Sequence, residues 1–382
     1  VIRVVLALGL AQTLNWGASY YLPAVLAAPI ARDLGLHVST VFAVFSGALL
    51  LTALFGPAVG RAIDARGGRP VLLAAIFVLA AGLILLALAQ GLAMLALAWG
   101  VLGLGMAMGL YDAAFATLAG LYGGAARNPI TGITLIAGFA STLGWPLSAL
   151  MLAEWGWRGA CWGWAAVLLG IALPLVLSLP KAGPPPHAEP KPTSPPAGGT
   201  RRAALLLAFA FAVTGFVSTA LGAHLPGLLL AAGAAPAAAI AASALLGPAQ
   251  VGARLMEFGL LRRFHPLVSA RAAHLAHPLG AAALLLVGAP AAAVFTVLHG
   301  AGNGMLTIAR GTLPLAVFGP AGYGARQGLL TAPARIASAL APALFGLLVE
   351  AVGVHALWLT AALSLLAFSA LLALRASPKA SR

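Results

Sequence analysis

Apolar runs of about 18–30 residues recur along the chain, each ended by a short polar or Gly/Pro-rich break. A helix needs roughly 20 apolar residues to cross a hydrocarbon core about 30 Å thick, so each run predicts one membrane span. The spans fall near 4–30, 38–60, 70–89, 92–121, 129–153, 157–179, 203–231, 237–260, 267–287, 290–318, 325–350 and 354–375. The expected fold class is an all-α membrane protein with twelve transmembrane helices.

Composition supports the pattern. The chain of 382 residues is 62% hydrophobic and 7% charged, with mean hydropathy +1.03. Soluble domains carry about 25% charged residues, so this chain lacks the polar surface to coat a globule. Its solvent is the lipid bilayer. The net charge of +14 would ordinarily suggest nucleic acid. Here the basic residues sit in short clusters between apolar runs, and no nucleic-acid partner is expected. The lone Cys161 excludes an internal disulfide and a cysteine metal cluster. Arg3 and the apolar run after it, with no small-residue cleavage site, read as a first span rather than a cleaved signal peptide.

An even number of spans puts both termini on one side. Sixteen of the 21 Lys/Arg residues fall on that side; Arg32 and Arg158 fall opposite, and Arg254, Arg310 and Arg335 lie inside spans. The positive-inside rule makes both termini cytoplasmic. The Ala-rich, Arg-over-Lys composition points to a GC-rich bacterial genome and hence an inner (plasma) membrane. At the outer end of spans five and six, Trp145, Trp155, Trp157, Trp162 and Trp164 are expected to form an interfacial aromatic belt. Glu154 and Arg158, four residues apart, are expected to form an exposed ion pair.

Residues 180–202, "PKAGPPPHAEPKPTSPPAGGTRR", hold eight prolines and read as an extended cytoplasmic linker. It separates an N-terminal six-helix bundle, 1–179, from a C-terminal one, 203–382. The two are pseudo-repeats: "YLPAVLAA" (21–28) answers "HLPGLLLAA" (224–232), and "GRAIDARGGR" (60–69) answers "ARLMEFGLLR" (253–262). In the second pairing Arg61 and Asp64 stand opposite Arg254 and Glu257. Two parallel six-span repeats are a secondary-transporter plan, with the solute site near the midplane where the halves meet.

At "GRAIDARGGRP" the sequence resembles the major facilitator superfamily, whose signature between spans two and three is Gly-x-x-x-Asp-(Arg/Lys)-x-Gly-x-(Arg/Lys). Gly60, Asp64, Gly67 and Arg69 match, while Ala65 replaces the usual basic residue between the flanking Arg61 and Arg66. From the residues alone, Gly60 is expected to permit close helix packing, with Asp64 set among arginines. The resemblance implies more: Gly60, Arg61, Asp64, Arg66 and Arg69, with Arg254 and Glu257 as a degraded second copy, act as a cytoplasmic gate.

The resemblance also implies that spans 1, 4, 7 and 10 face a central path, and their polar residues fit. At about 100° per residue, Thr296, His299, Asn303, Thr307 and Arg310 share an arc of about 80° in span ten. In span one, Gln12, Asn15, Trp16, Ser19 and Tyr20 share an arc of about 140°. Thr214 and Ser218 repeat this in span seven, with Ser218 at the repeat position of Asn15. The solute-binding candidates are therefore Asn15, Trp16, Ser19, Tyr20, Ser218, Asn303, Thr307, Arg310 and Arg335.

Asp112 in span four, Arg310 in span ten and Arg335 in span eleven lie at similar depth. Each costs about 2.5–3.5 kcal/mol at a helix centre, so all three without partners is implausible. Asp112 either pairs with an arginine or carries a proton for coupling. Two arginines against one aspartate leave a spare positive charge, which fits an anionic solute, because a guanidinium fork matches a carboxylate. His274 and His277 are spaced i, i+3, but no carboxylate accompanies them and no metal site is expected. His224 is expected to pack rather than bind.

The leading functional expectation is a secondary active transporter of a small organic anion working by alternating access, with protons as the candidate coupling ion. "NWGASYYLP" (15–23) beside intramembrane arginines loosely resembles the monocarboxylate and organic-anion branch. A proton-driven exporter of drugs or cations is the alternative, although "GFASTLGWPLSA" (138–149) departs from the Gly-Pro-x-x-Gly-Gly element that subgroup carries in span five. A channel or a non-transporting membrane sensor is the more distant one. No His-Glu-x-x-His, Gly-x-Ser-x-Gly or phosphate loop is present, so an enzyme is not expected. Neither is a cofactor, and a monomer is.

Overall fold

Span one is not a continuous helix. In the computed structural model, which describes residues 1–122, 126–181, 198–259, 266–318 and 323–374, α1 (Ile2–Ala18) stops and α2 (Pro23–Leu34) restarts within the same span. Pro23 has no N–H to continue the ladder, and Leu22 N bonds Ser19 O at 3.2 Å instead. The following helices are α3 (Val38–Arg66), α4 (Gly68–Ala87), α5 (Leu92–Gly109), α6 (Tyr111–Tyr122), α7 (Arg127–Ala137), α8 (Ala140–Val167) and α9 (Leu173–Leu177). After them come α10 (Gly198–Ala231), α11 (Pro236–Ala244), α12 (Leu246–Gly259), α13 (Pro266–Val287), α14 (Ala292–Phe318), α15 (Tyr323–Val352) and α16 (Leu357–Leu372). Linker residues 182–197 lie outside the described residues.

Nine segments among the described residues are long and apolar enough to cross a membrane. Two of them, Asn128–Leu177 and Leu330–Leu372, run to 50 and 43 residues. A straight helix of that length would span about 65–75 Å, twice the hydrocarbon core. Each contains a positive-φ glycine, Gly156 (φ 69) and Gly353 (φ 59), where the chain turns back. With α1, an apolar helix of 17 residues, as a further crossing, these segments agree with twelve.

The chain forms two compact units. The first holds Val1–His187 with two short segments, Gly222–Gly227 and Pro342–Leu347; the second holds the remainder. In the first unit α4 packs on α5 and α8, α3 on α5, and α1 on α7 and α8. Phe45 and Trp99 meet edge to face at 5.0 Å in its core. His224 is buried here, with Nε2 2.9 Å from Pro342 O, a packing position.

The aromatic belt is smaller than expected. Only Trp155 (63%) and Trp162 (48%) are exposed, while Trp145, Trp157 and Trp164 are buried. Gly17 and Gly144 bring the α1 and α8 backbones together, and Trp164 fills the space beside them. Its indole N–H donates to Ser148 Oγ at 2.9 Å, the partner a buried tryptophan needs. The Glu154–Arg158 pair also does not form. Gly156 between them has φ 69, ψ 176, which breaks the helical spacing that would bring residues four apart together. Arg158 instead pairs with Asp33 and donates to Ala89 O at 2.9 Å.

In the second unit α14 is the centre, packed on α12 and α13, with α13 on α16. The α14 stretch "HGAGNG" makes this possible. A Cβ at Gly300 would lie 2.9 Å from Leu246 O, and one at Gly302 would lie 2.7 Å from Ala273 O. Small residues let membrane helices approach to backbone contact, because no hydrophobic force drives them together in lipid. His299 and Asn303 alternate with these glycines and are carried into the bundle with them.

Candidate functional site

In the first unit the polar face of α1 meets a second broken span. Leu110 is extended (φ −93, ψ −166) between α5 and α6, which frees the Gly109 carbonyl. Gln12 Nε2 and Asn15 Nδ2 both donate to it, at 2.7 and 3.0 Å. An unpaired carbonyl at this depth would cost several kcal/mol, about as much as any buried polar group without a partner. Asn15 is therefore first a structural clamp, although its Oδ1 has no hydrogen-bond partner among the described residues. Ser19 is buried and donates to Asn15 O at 2.6 Å. Trp16 and Tyr20 are only partly buried and stand edge to face at 4.8 Å, with Tyr111 5.0 Å from Trp16.

The same break creates a helix start at Tyr111. Asp112 occupies the first turn of α6 and is exposed. No residue in the sequence other than glycine marks this break, and the role of Tyr111 was equally hidden.

The 60–69 loop corrects one expectation. A Cβ on Gly60 would meet nothing within 4 Å, so Gly60 is not a packing glycine. Gly68 is: a Cβ there would overlap Thr117 Oγ1 and Cβ. Gly67 has φ 79, ψ 162, a region essentially reserved for glycine, and it separates α3 from α4. Arg69 donates to Leu177 O at 2.6 Å, and Arg61 and Arg66 are exposed. The side chain of Asp64 lies outside the described residues. In the second unit Arg254 reaches Gln250 Oε1 at 3.5 Å, and Glu257 Oε2 has no hydrogen-bond partner among the described residues.

The polar stripe of α14 runs from buried to accessible. Thr296 and His299 are buried, Asn303 and Arg310 half-buried, and Thr307 exposed, donating to Asn303 O at 2.8 Å. Asn303 and Ser218 line one small cavity of about 20 Å³, together with Thr214, His274, His299 and Ser364. His277 Nδ1 lies 3.1 Å from His299 Nδ1, and its Nε2 lies 2.9 Å from Thr360 Oγ1. The i, i+3 histidine spacing raised only a metal site that was not expected, and nothing in the sequence paired His277 with His299. On α15, Arg335 is exposed and has no hydrogen-bond or ion-pair partner among the described residues, while Thr331 and Ser338 are half-buried.

A sequence profile of the Major Facilitator Superfamily matches residues 8–292. The chain belongs to this family. Membership makes it a multi-pass membrane transporter. Two solved structures share the fold. A bacterial homologue of the human lysosomal transporter Spinster, inward-facing and unoccupied, aligns with TM-score 0.72 and 18% identity, covering 98% of each chain. A point mutant of the nucleoside transporter NupG aligns with TM-score 0.77 and 15% identity over 97% of this chain and 98% of its own. Comparison with curated proteins found no match.

Proposed function

We propose that this superfamily member is a secondary active carrier for an organic anion, working by alternating access and driven by protons. The observation that carries the reading is Arg335. It is the one charged residue from 328 to 349, exposed, on a face with Thr331 and Ser338, and without a protein partner among the described residues. A guanidinium stays charged in any environment, so in a membrane span it needs water or an anion. A carboxylate supplies two acceptor oxygens matched to its fork.

The further residues proposed to contact the solute are Arg310, Thr307, Asn303 and Ser218 of the second unit and Asn15, Trp16, Ser19 and Tyr20 of the first, where Asn15 Oδ1 has no hydrogen-bond partner among the described residues. Asp112, exposed at a helix start, carries the coupling proton. Gly60, Arg61, Asp64, Arg66 and Arg69, with Arg254 and Glu257, form the cytoplasmic gate. The protein works as a monomer in a bacterial inner membrane with both termini in the cytoplasm.

Proteoliposome uptake of a panel of monocarboxylates, dicarboxylates and lipophilic amines, with and without an inward proton gradient, tests this reading. Gradient-driven accumulation of a carboxylate supports it, and accumulation of amines alone rejects it in favour of a cation exporter. In Asp112→Asn, accumulation driven by the pH gradient should be lost while exchange of labelled for unlabelled carboxylate continues. Retained gradient-driven accumulation would remove Asp112 from coupling.

A further inference from the structure

The hydrogen bonds around the buried histidines assign their protons. Thr360 donates its only hydroxyl proton to Leu357 O at 3.0 Å, so it presents a lone pair to His277. His277 Nε2, at 2.9 Å, must be the donor. A neutral imidazole with hydrogen on Nε2 has a bare Nδ1. His299 Nδ1, 3.1 Å from that bare nitrogen, must then carry the hydrogen between them. Its Nε2 is left as a lone pair.

That lone pair has no partner among the described residues, although the His299 side chain is only 3% exposed and lines the cavity. His274, 2% exposed, lines the same cavity and likewise makes no hydrogen bond among the described residues. The cavity, about 20 Å³, can hold a water molecule, which needs two or more polar partners and finds them here.

We propose that the His277–His299 pair is a binding site for a single proton, loaded from the cavity at His299 Nε2. A hydronium ion there gives its proton to the lone pair, forming an N–H bond and leaving water. The hydrogen on His299 Nδ1 can then pass to His277 Nδ1, and the charge is shared between two rings. No other bond changes. A second proton would put hydrogen on both facing nitrogens, break the bond between the rings and set two positive charges side by side. The pair therefore takes one.

The groups around the pair agree with this limit. On α13 the other charged or titratable side chains are His274 and Arg271, the latter bonded to Leu371 O and Leu374 O at 2.9 Å. On α14 there is Arg310, and on α12 Arg254 and Glu257. Neither α16 nor the cavity-lining stretch of α10 carries a charge. Among the described residues no carboxylate lines the cavity, whose polar lining besides the histidines is Asn303, Thr214, Ser218 and Ser364. The cavity shares Asn303 and Ser218 with the proposed anion site, but the proton assignment rests on the hydrogen bonds of His277, His299 and Thr360 and not on the identity of the solute.

The test needs no solute. Protein labelled with ¹⁵N-histidine is placed in lipid nanodiscs, and the imidazole ¹⁵N resonances are followed with pH, assigned through His277→Gln and His299→Gln. At high pH, His277 should show the Nε2–H form and His299 the Nδ1–H form. On acidification both should shift together, with one midpoint and one proton for the pair. Thr360→Val keeps the side-chain volume but removes the acceptor that favours protonated His277. It should lower the pair's proton affinity about threefold to tenfold, the worth of one hydrogen bond. If the glutamine variants do not fold, the wild type and Thr360→Val still decide. Separate midpoints with one proton each, reversed tautomers, or two rings that stay neutral while the protein remains folded would each overturn the proposal.

Discussion

Gly68→Val should yield little folded protein, and Gly68→Ala should fold with a clearly lowered Tm. α4 starts at Gly68 against α6, where any Cβ would overlap Thr117. Thr117 cannot swing aside: it is buried, and its hydroxyl donates to Ala113 O at 2.7 Å. A β-branched side chain in a helix also has few χ1 options. Forcing a methyl into such a contact typically costs about 1–3 kcal/mol, and a valine more. Thr117→Ala should rescue Gly68→Ala poorly, because the Thr117 Cβ is part of the overlap. Thr117→Gly should rescue it well. A Gly68→Ala protein with wild-type Tm in detergent would show that the two helices are not packed this closely.

The second large effect is expected at Arg335. Arg335→Ala should weaken carboxylate uptake about 10- to 100-fold in apparent KM, the value of hydrogen bonds to a charged group. Arg335→Lys should recover only part of that loss, since an ammonium restores the charge but not the two-pronged geometry. An unchanged KM in both variants would exclude Arg335 from the solute site. Normal insertion and Tm in both separates a binding defect from a folding defect. Arg335 is exposed on its helix, so its removal leaves no hole in the core.

Much of the fold was legible because lipid imposes one rule: a span must be long, apolar and helical. The breaks were less so. Pro23 announces the interruption of span one, but the interruption at Leu110 has no proline, and its meaning lies in the acceptor it frees for Gln12 and Asn15. These two polar side chains looked like path lining from their spacing, yet each is partly spent on holding the break. Helical periodicity gives the face of a residue but not what stands opposite.

Gly60 and Gly68 show the same limit. Both sit in one short loop motif, and only the packing of α4 on α6 reveals which of them a side chain would disrupt. The tryptophans near the outer end of spans five and six read as a belt by composition, whereas Gly17 and Gly144 open the space that buries Trp164. His277 and His299 lie 22 residues apart on neighbouring helices. Their shared hydrogen bond goes with the close approach of α13 and α14 at Gly302 against Ala273 and at Gly280 against Phe295, a three-dimensional fact with no sequence spacing of its own.

The most direct test of the carrier reading is counterflow. Proteoliposomes are preloaded with an unlabelled carboxylate from the transported class and diluted into a trace of the labelled compound, with no ion gradient. An alternating-access carrier should draw label in transiently above its equilibrium level, saturably, and Arg335→Ala should remove the overshoot. Label that enters in proportion to concentration with no overshoot would indicate a channel, and binding without entry would indicate a sensor; either result would contradict the account.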